Sequence, residues 1–176
     1  MTQSFQYDAD YFYNMLRMYS PTAKQICDAR WAFVAQAGAK TVLDYGSGCG
    51  FFKAFAPADV AVDTFDLMKV PQTGVRAYKY DLVTLWDVLE HIPDLESMRK
   101  IFDMTNWIGL TVPIKPADVP WKEYKHFKPG EHIHHFQEDY LCAVMDLFGF
   151  ELVKSGNPEC PPRSMIGSFL FKRRAA

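Results

Sequence analysis

Three glycines at alternate positions, Gly46, Gly48 and Gly50, follow the β-rich run Thr41-Val42-Leu43-Asp44-Tyr45 and precede a helix-like start at Phe51. Glycine lets a backbone approach a ligand closely, and a turn entering a helix presents amide groups to it. A tight strand-to-helix turn with no ligand is the simpler reading of the same pattern. The neighbours restrict the ligand. A dinucleotide fingerprint needs glycine at position 51, where this chain has Phe51, and the Gly-Lys-Ser/Thr ending of a phosphate loop is absent. Asp44, two residues before Gly46, would repel a pyrophosphate but suits a ligand carrying an ammonium group. S-adenosylmethionine carries an ammonium and a sulfonium.

A second carboxylate stands twenty-two residues beyond Asp44, at the end of the strand-like run Val60–Phe65. An acid at that separation is placed to bind ribose hydroxyls. Asp63 competes for this role, and alternation of Val60, Val62 and Thr64 favours Asp66.

Further along, His126, Glu131, His132, His134 and His135 crowd four of the five histidines into ten residues. Histidine titrates near neutrality and is the usual general base, so the cluster is the base candidate. His132 and His134 would share a face of an extended segment and could pair on a metal. No carboxylate or thiolate at ligand spacing joins them, so no metal site is expected. The remaining reading is a loop knotted by histidine hydrogen bonds. Lys122, Lys125 and Lys128 interleave with Trp121, Tyr124 and Phe127, a pattern of a solvated edge with aromatic undersides or of a surface for a stacked or anionic ligand.

Positioning these groups requires particular elements. Residues 8–19 read as a helix stopped by Pro21, and Thr22 caps a second helix running to about Ala37 with Gly38 as its stop. Strands are expected at Thr41–Tyr45, Val60–Phe65, Tyr80–Trp86 and Trp107–Val112, with a possible short one at Val75–Tyr78. Helices are expected from Phe51, from Ile92-Pro93-Asp94 to about Met104, and over Gln137–Phe148. Phe150–Lys154 and Gly167–Lys172 close the chain as a strand pair. Strands alternating with helices predict an α/β fold with a doubly wound, mostly parallel sheet and a crevice at the strands' carboxyl ends. No repeat or linker divides the chain. Residues 1–176 read as one domain, with 1–39 a helical cap on a core of 40–176.

These motifs resemble the class I S-adenosylmethionine-dependent methyltransferases. Thr41–Gly50 is similar to their first motif, Val62–Leu67 to the segment that holds the ribose, and Tyr80–Asp94 to the stretch ending the fourth strand. Lys125–Phe136 and Leu147–Glu151 are similar to the C-terminal part of small bacterial and phage methyltransferases, so the resemblance spans about residues 40–172. It implies a Rossmann-like fold in a minimal form, because the stretch between Leu67 and Tyr80 is too short for the helix, strand and adenine-binding acid usual there. It implies cofactor binding by Asp44, Tyr45, Gly46, Ser47, Gly48, Gly50, Asp66, Leu67 and Trp86. Trp86 is equally readable as sheet core, and His91 as structural. Catalysis falls to Asp87, Glu131, His132 and His135. The reaction implied is in-line methyl transfer from S-adenosylmethionine to a small-molecule or undefined acceptor, which needs alignment, water exclusion and removal of a proton. Two other functions remain: a cofactor-binding regulator of a partner, and an enzyme acting on S-adenosylmethionine itself.

Composition sets the outer limits. Apolar residues are 49% and charged residues 23% of 176, a globular mix. The net charge of −2 argues against a duplex nucleic-acid partner. No apolar run approaches the ~18 residues of a membrane span. The N-terminus lacks the layout of a signal peptide. Cys27, Cys49, Cys142 and Cys160 are scattered, which is the pattern of a reduced, cytoplasmic protein. Aromatics reach 15% and concentrate at Tyr7–Tyr19 and Trp121–Phe136, as core or as a cover over a site.

Overall fold

The computed structural model describes residues 9–67, 72–76, 79–160 and 163–175. Thr41–Tyr45, Ala61–Phe65, Leu82–Trp86 and Trp107–Pro113 form β1 to β4, and Phe150–Gly156 and Ile166–Arg173 form β5 and β6. They build one six-stranded sheet in the order β2-β1-β3-β4-β6-β5. β1 runs parallel to β2 and β3, and β3 parallel to β4. β6 returns antiparallel between β4 and β5, so the closing strand pair expected from the sequence is present and the sheet is mostly parallel.

The helices are α1 (Ala9–Tyr19), α2 (Ala23–Val34), α3 (Phe51–Ala54), α4 (Arg99–Phe102) and α5 (Glu138–Leu147). Alternation along the strands divides the core between the two sheet faces. Val42, Val62, Leu82 and Trp86 pack with Cys27 and Phe33 of α2 and Phe52 of α3. Leu43, Val83 and Leu85 pack with Phe102 of α4 and Leu141 and Met145 of α5. Five phenylalanines, Phe102, Phe136, Phe150, Phe169 and Phe171, are fully buried, each contributing about 1.5–3 kcal/mol.

Several boundaries differ from the sequence expectation, for local reasons. The helix expected from Ile92 begins only at Leu95, as a 3-10 turn to Met98 that runs into α4. Pro93 disfavours a helical conformation at Ile92, which is extended, and the Asp94 side chain caps the turn by accepting from the Glu96 N–H at 3.0 Å. β3 starts at Leu82 rather than Tyr80, which makes only an isolated bridge to Thr105. The Asp81 side chain accepts from the N–H groups of Lys40 and Thr41 while its backbone N–H donates to the Thr41 carbonyl, a local turn-like arrangement just before the strand. Thr22 precedes α2 but makes no side-chain cap; its hydroxyl donates to the Tyr19 carbonyl instead. Gly38 stops the helical run in the left-handed region, as expected. Val75 and Arg76 are not in a strand, and Ala77, Tyr78, Tyr7 and Asp8 lie outside the described residues.

The aromatic clusters are not simply core. Phe136 and Tyr124 are buried, but Tyr13, Trp121 and Phe127 are exposed, while Tyr11 and Tyr19 of α1 line a cavity. Among the described residues no helix is long and apolar enough to cross a membrane.

Candidate active site

A cavity of about 620 Å³ opens at the carboxyl ends of β1, β2 and β3, roofed by α1 and α2. The parallel strands bring their terminal residues to this one edge, where open α/β sheets bind ligands. Asp44 and residues 46–49 of the glycine turn leave β1, Asp66 and Leu67 leave β2, and Trp86 and Asp87 leave β3; all line the cavity.

The turn after β1 is shaped by two glycines with different constraints. Gly46 has φ +78, and a Cβ there would sit 2.3 Å from Val88 Cγ2, so its backbone passes against the segment following β3. Gly48 has φ +51, but a Cβ would meet nothing within 4 Å. The Gly46 and Ser47 N–H groups donate to the Phe65 carbonyl at 2.7 and 3.1 Å, and Gly48 donates to the Asp66 carboxylate at 2.7 Å. Gly50, also in the left-handed region, starts α3 but does not line the cavity. Tyr45 is likewise off the cavity: its ring stacks on Phe65 at 4.9 Å on the opposite face.

The competing acid has other work. Asp63 accepts from the Tyr80 hydroxyl at 2.8 Å and from the Arg76 guanidinium, and it does not line the cavity. Asp44 is buried; burial raises its carboxyl to about 7, against a smaller lowering by the Thr84 hydroxyl, which donates to it at 2.9 Å. Trp86 is both core and wall. Its ring meets Phe52 at 5.1 Å, the Arg30 guanidinium lies 4.8 Å above it, and its indole N–H is buried with no hydrogen-bond partner.

Asp87 sits at φ +59 and is gripped by two guanidiniums. Arg163 donates to both of its oxygens at 2.8 Å and Arg30 to one at 3.1 Å, while Glu159 accepts from both arginines. Burial acts to raise the Asp87 carboxyl, but Arg163 and then Arg30 outweigh it and hold it below the usual range. A carboxylate so paired is a poor proton acceptor. This four-residue network has no contiguous sequence signal. Its one hint is Arg30, which shares the stripe of Ala23, Ile26, Cys27, Phe33 and Val34.

On the far wall, Glu131 and His132 line the cavity, whereas His135 does not. The His135 ring packs against Trp121 and Phe127 at 5.4 and 5.2 Å. His134 turns away to hydrogen-bond the Ile92 carbonyl at 2.9 Å, so His132 and His134 do not pair. The partner of His132 comes from elsewhere: its ring meets His91 edge-on at 4.9 Å, and buried Glu90 stands beside them. Burial, then His91, pushes His132 down to about 4, and burial followed by Asp87 raises Glu90 well above the carboxylate range. Glu90 was not singled out in the sequence, although an acid adjoining a histidine one turn past a strand end was a readable signal.

The sequence model of a family described as a methyltransferase domain matches residues 19–155. No curated protein sequence matches the chain. The fold is similar to that of magnesium protoporphyrin IX methyltransferase from Synechocystis PCC 6803, solved with bound SAH, at TM-score 0.68 and 18% identity over 96% of each chain. It is also similar to 1,6-didemethyltoxoflavin-N1-methyltransferase from Burkholderia thailandensis, solved with 1,6-didemethyltoxoflavin and S-adenosylhomocysteine, at TM-score 0.64 and 12% identity over 99% of this chain and 94% of that one. A SAM-dependent methyltransferase from Archaeoglobus fulgidus gives TM-score 0.65 at 15% identity, over 93% of this chain and 100% of that one. At these identities the likeness is one of fold.

Proposed function

Because the chain belongs to the methyltransferase domain family, we propose that it transfers a methyl group from S-adenosylmethionine to a small-molecule acceptor bound in the cavity at the strand ends. The observation that carries this reading is the joint between Gly48 and Asp66. The glycine backbone and the carboxylate meet at 2.7 Å on the cavity wall, and open space lies where a Gly48 side chain would project. In this reading the Gly46–Gly48 backbone receives the methionine end, Asp44 its ammonium group, and Asp66 the ribose. Trp86 forms an apolar wall beside the sulfonium.

Residues of 9–39 act as a cap in this scheme. Tyr11, Met15, Met18 and Tyr19 line the cavity and supply an apolar cover that excludes water from the displacement. One neighbour of similar fold is named for magnesium protoporphyrin IX and another was solved with bound 1,6-didemethyltoxoflavin, and a cavity with aromatic and methionine walls suits an acceptor of that planar, small-molecule kind. Of the residues expected to do chemistry, Glu131 and His132 are the ones assigned here to face the acceptor; Asp87 positions Arg30 and Arg163. The free thiols of Cys27, Cys49, Cys142 and Cys160 suit a reducing, cytoplasmic setting.

The test is calorimetry with S-adenosylmethionine and S-adenosylhomocysteine, followed by a screen for acceptor-dependent formation of S-adenosylhomocysteine. Absence of binding to either ligand by the folded protein overturns the reading.

A further inference from the structure

On the same cavity wall His132, assigned to face the acceptor, is joined by Glu90 and His91, which methyl transfer by itself does not use. Glu90, His91 and His132 each offer one ligand atom, and these atoms all lie within 4.8 Å of one another. Two imidazoles and a carboxylate are the donor set of open, three-ligand sites for zinc and neighbouring first-row divalent cations. The geometry points to a divalent-cation site built by Glu90, His91 and His132 in the wall of the acceptor cavity, with zinc as its best-matched ion. The site itself is independent of the methyl-transfer reading; only a role in holding an acceptor rests on it.

The tautomers favour it. The Nδ1 atom of His91 is 2.8 Å from the Glu131 carbonyl, and Nδ1 of His132 is 2.9 Å from the His126 carbonyl. A carbonyl only accepts, so each Nδ1 carries the hydrogen, and each neutral ring has its lone pair on Nε2. Those are the nitrogens turned to the acids: His91 Nε2 is 3.9 Å from Glu90 Oε1, and His132 Nε2 is 3.9 Å from Glu131 Oε1. Carbonyl-oriented imidazoles are the usual outer support of metal-bound histidines.

The carboxylate adds a second, separate observation. Glu90 is 1% exposed, and its Oε2 is buried with no hydrogen-bond partner. Burying an unsatisfied acid is costly, and a cation would satisfy it. Ligands about 2.1 Å from a tetrahedral ion lie about 3.4 Å apart, so the observed spacing closes by small rotations of the side chains. The backbone already holds the two halves together. The Glu90 carbonyl accepts from the N–H groups of Ile133 and His134 at 2.8 and 3.0 Å, fastening the loop that carries His132 to the turn that carries His91. Lys128 also faces this loop, but its ammonium is 3.2 Å from Glu131 Oε1. Three protein ligands leave a coordination position toward the cavity, where an oxygen or nitrogen of an acceptor would be held and oriented.

The experiment loads chelator-treated protein with zinc, measures bound metal by mass spectrometry and affinity by competition with a chromophoric chelator, and repeats the loading with cobalt(II). One zinc per chain and a tetrahedral cobalt spectrum are expected in the native protein. Glu90→Gln, which keeps shape and bulk, and His132→Ala should each lose more than the ~10–100-fold that an outer-shell change costs, while His135→Ala keeps native affinity. Circular dichroism and thermal melts establish that each variant is folded, and His91→Ala substitutes for any that is not. Failure of the native protein to bind zinc stoichiometrically, or native affinity in a folded Glu90→Gln or His132→Ala, overturns the site. S-adenosylmethionine binding, measured on the same samples, reports separately on the methyl-transfer reading.

Discussion

Gly48 donates its backbone N–H to the carboxylate of Asp66 across 2.7 Å, joining the turn after β1 to the end of β2. One carboxylate thereby braces the loop and faces the cavity, whereas Asp63, three residues earlier, is committed to Tyr80 and Arg76. Removing each acid should therefore have different consequences. Asp66→Ala should weaken S-adenosylmethionine binding by about 1.5–3 kcal/mol, the scale of a charged hydrogen-bonded contact. Asp63→Ala should lower thermal stability and leave affinity within a few-fold. Calorimetry and melting of both variants check the pair, and the reverse pattern would move the ribose role to Asp63.

The glycine turn yields a second contrast. Alanine at position 46 would place its Cβ 2.3 Å from Val88 Cγ2 at a positive φ, so Gly46→Ala should destabilise the fold by more than the ~1–3 kcal/mol of backbone strain alone. At Gly48 only the strain applies, because the Cβ direction is open. Gly48→Val should remain folded in denaturant titrations yet lose cofactor affinity by more than ~10-fold, because its side chain enters ligand space. Unchanged affinity in a folded Gly48→Val protein would remove the turn from the binding site.

Asp44 makes stability depend on pH in a definite sense. Burial raises its carboxyl from 3.8 to about 7, so between these values the folded chain holds the proton that the unfolded chain has lost. Stability from this group is present at low pH and falls as pH rises toward 7. His132, pushed down to about 4, acts oppositely between about 4 and 6.5, so the difference between variant and native protein is the quantity to measure. Asp44→Asn keeps an oxygen for the Thr84 hydroxyl and removes the ionisation. Its melting temperature relative to native should rise by roughly 5 °C or more between about pH 5 and pH 8.5. A difference independent of pH would show that the folded Asp44 is already ionised at pH 5.

Asp87 should behave as a structural ion before it behaves as a base. Its loss leaves Arg30 and Arg163 sharing only Glu159, so Asp87→Ala should destabilise the protein by about 2–4 kcal/mol in urea unfolding. Arg163→Met should also destabilise it, because Asp87 and Glu159 would then share Arg30 alone. An Asp87→Ala protein of native stability that has lost turnover would restore the catalytic assignment.

The parts of this protein readable from its sequence are those whose meaning is local. A glycine turn, the acid before it and the acid ending the next strand follow from strand alternation and backbone sterics over a few residues, so β1, Gly46, Gly48 and Asp66 fell where expected. Local rules also mislead at boundaries, where the helix after Pro93 and the strand after Asp81 start a few residues later than expected. What the tertiary structure alone decided is convergence. Arg30, Asp87, Glu159 and Arg163 come from α2, the end of β3 and the segment before β6. Glu90 and His91 meet His132 across some forty residues, while His134 and His135, beside it in the chain, are turned elsewhere. Sequence proximity fixes only the backbone path between neighbours. Which side chains share a cavity is set by crossover connections and by the hydrogen bonds that pin each loop, and those are properties of the folded chain.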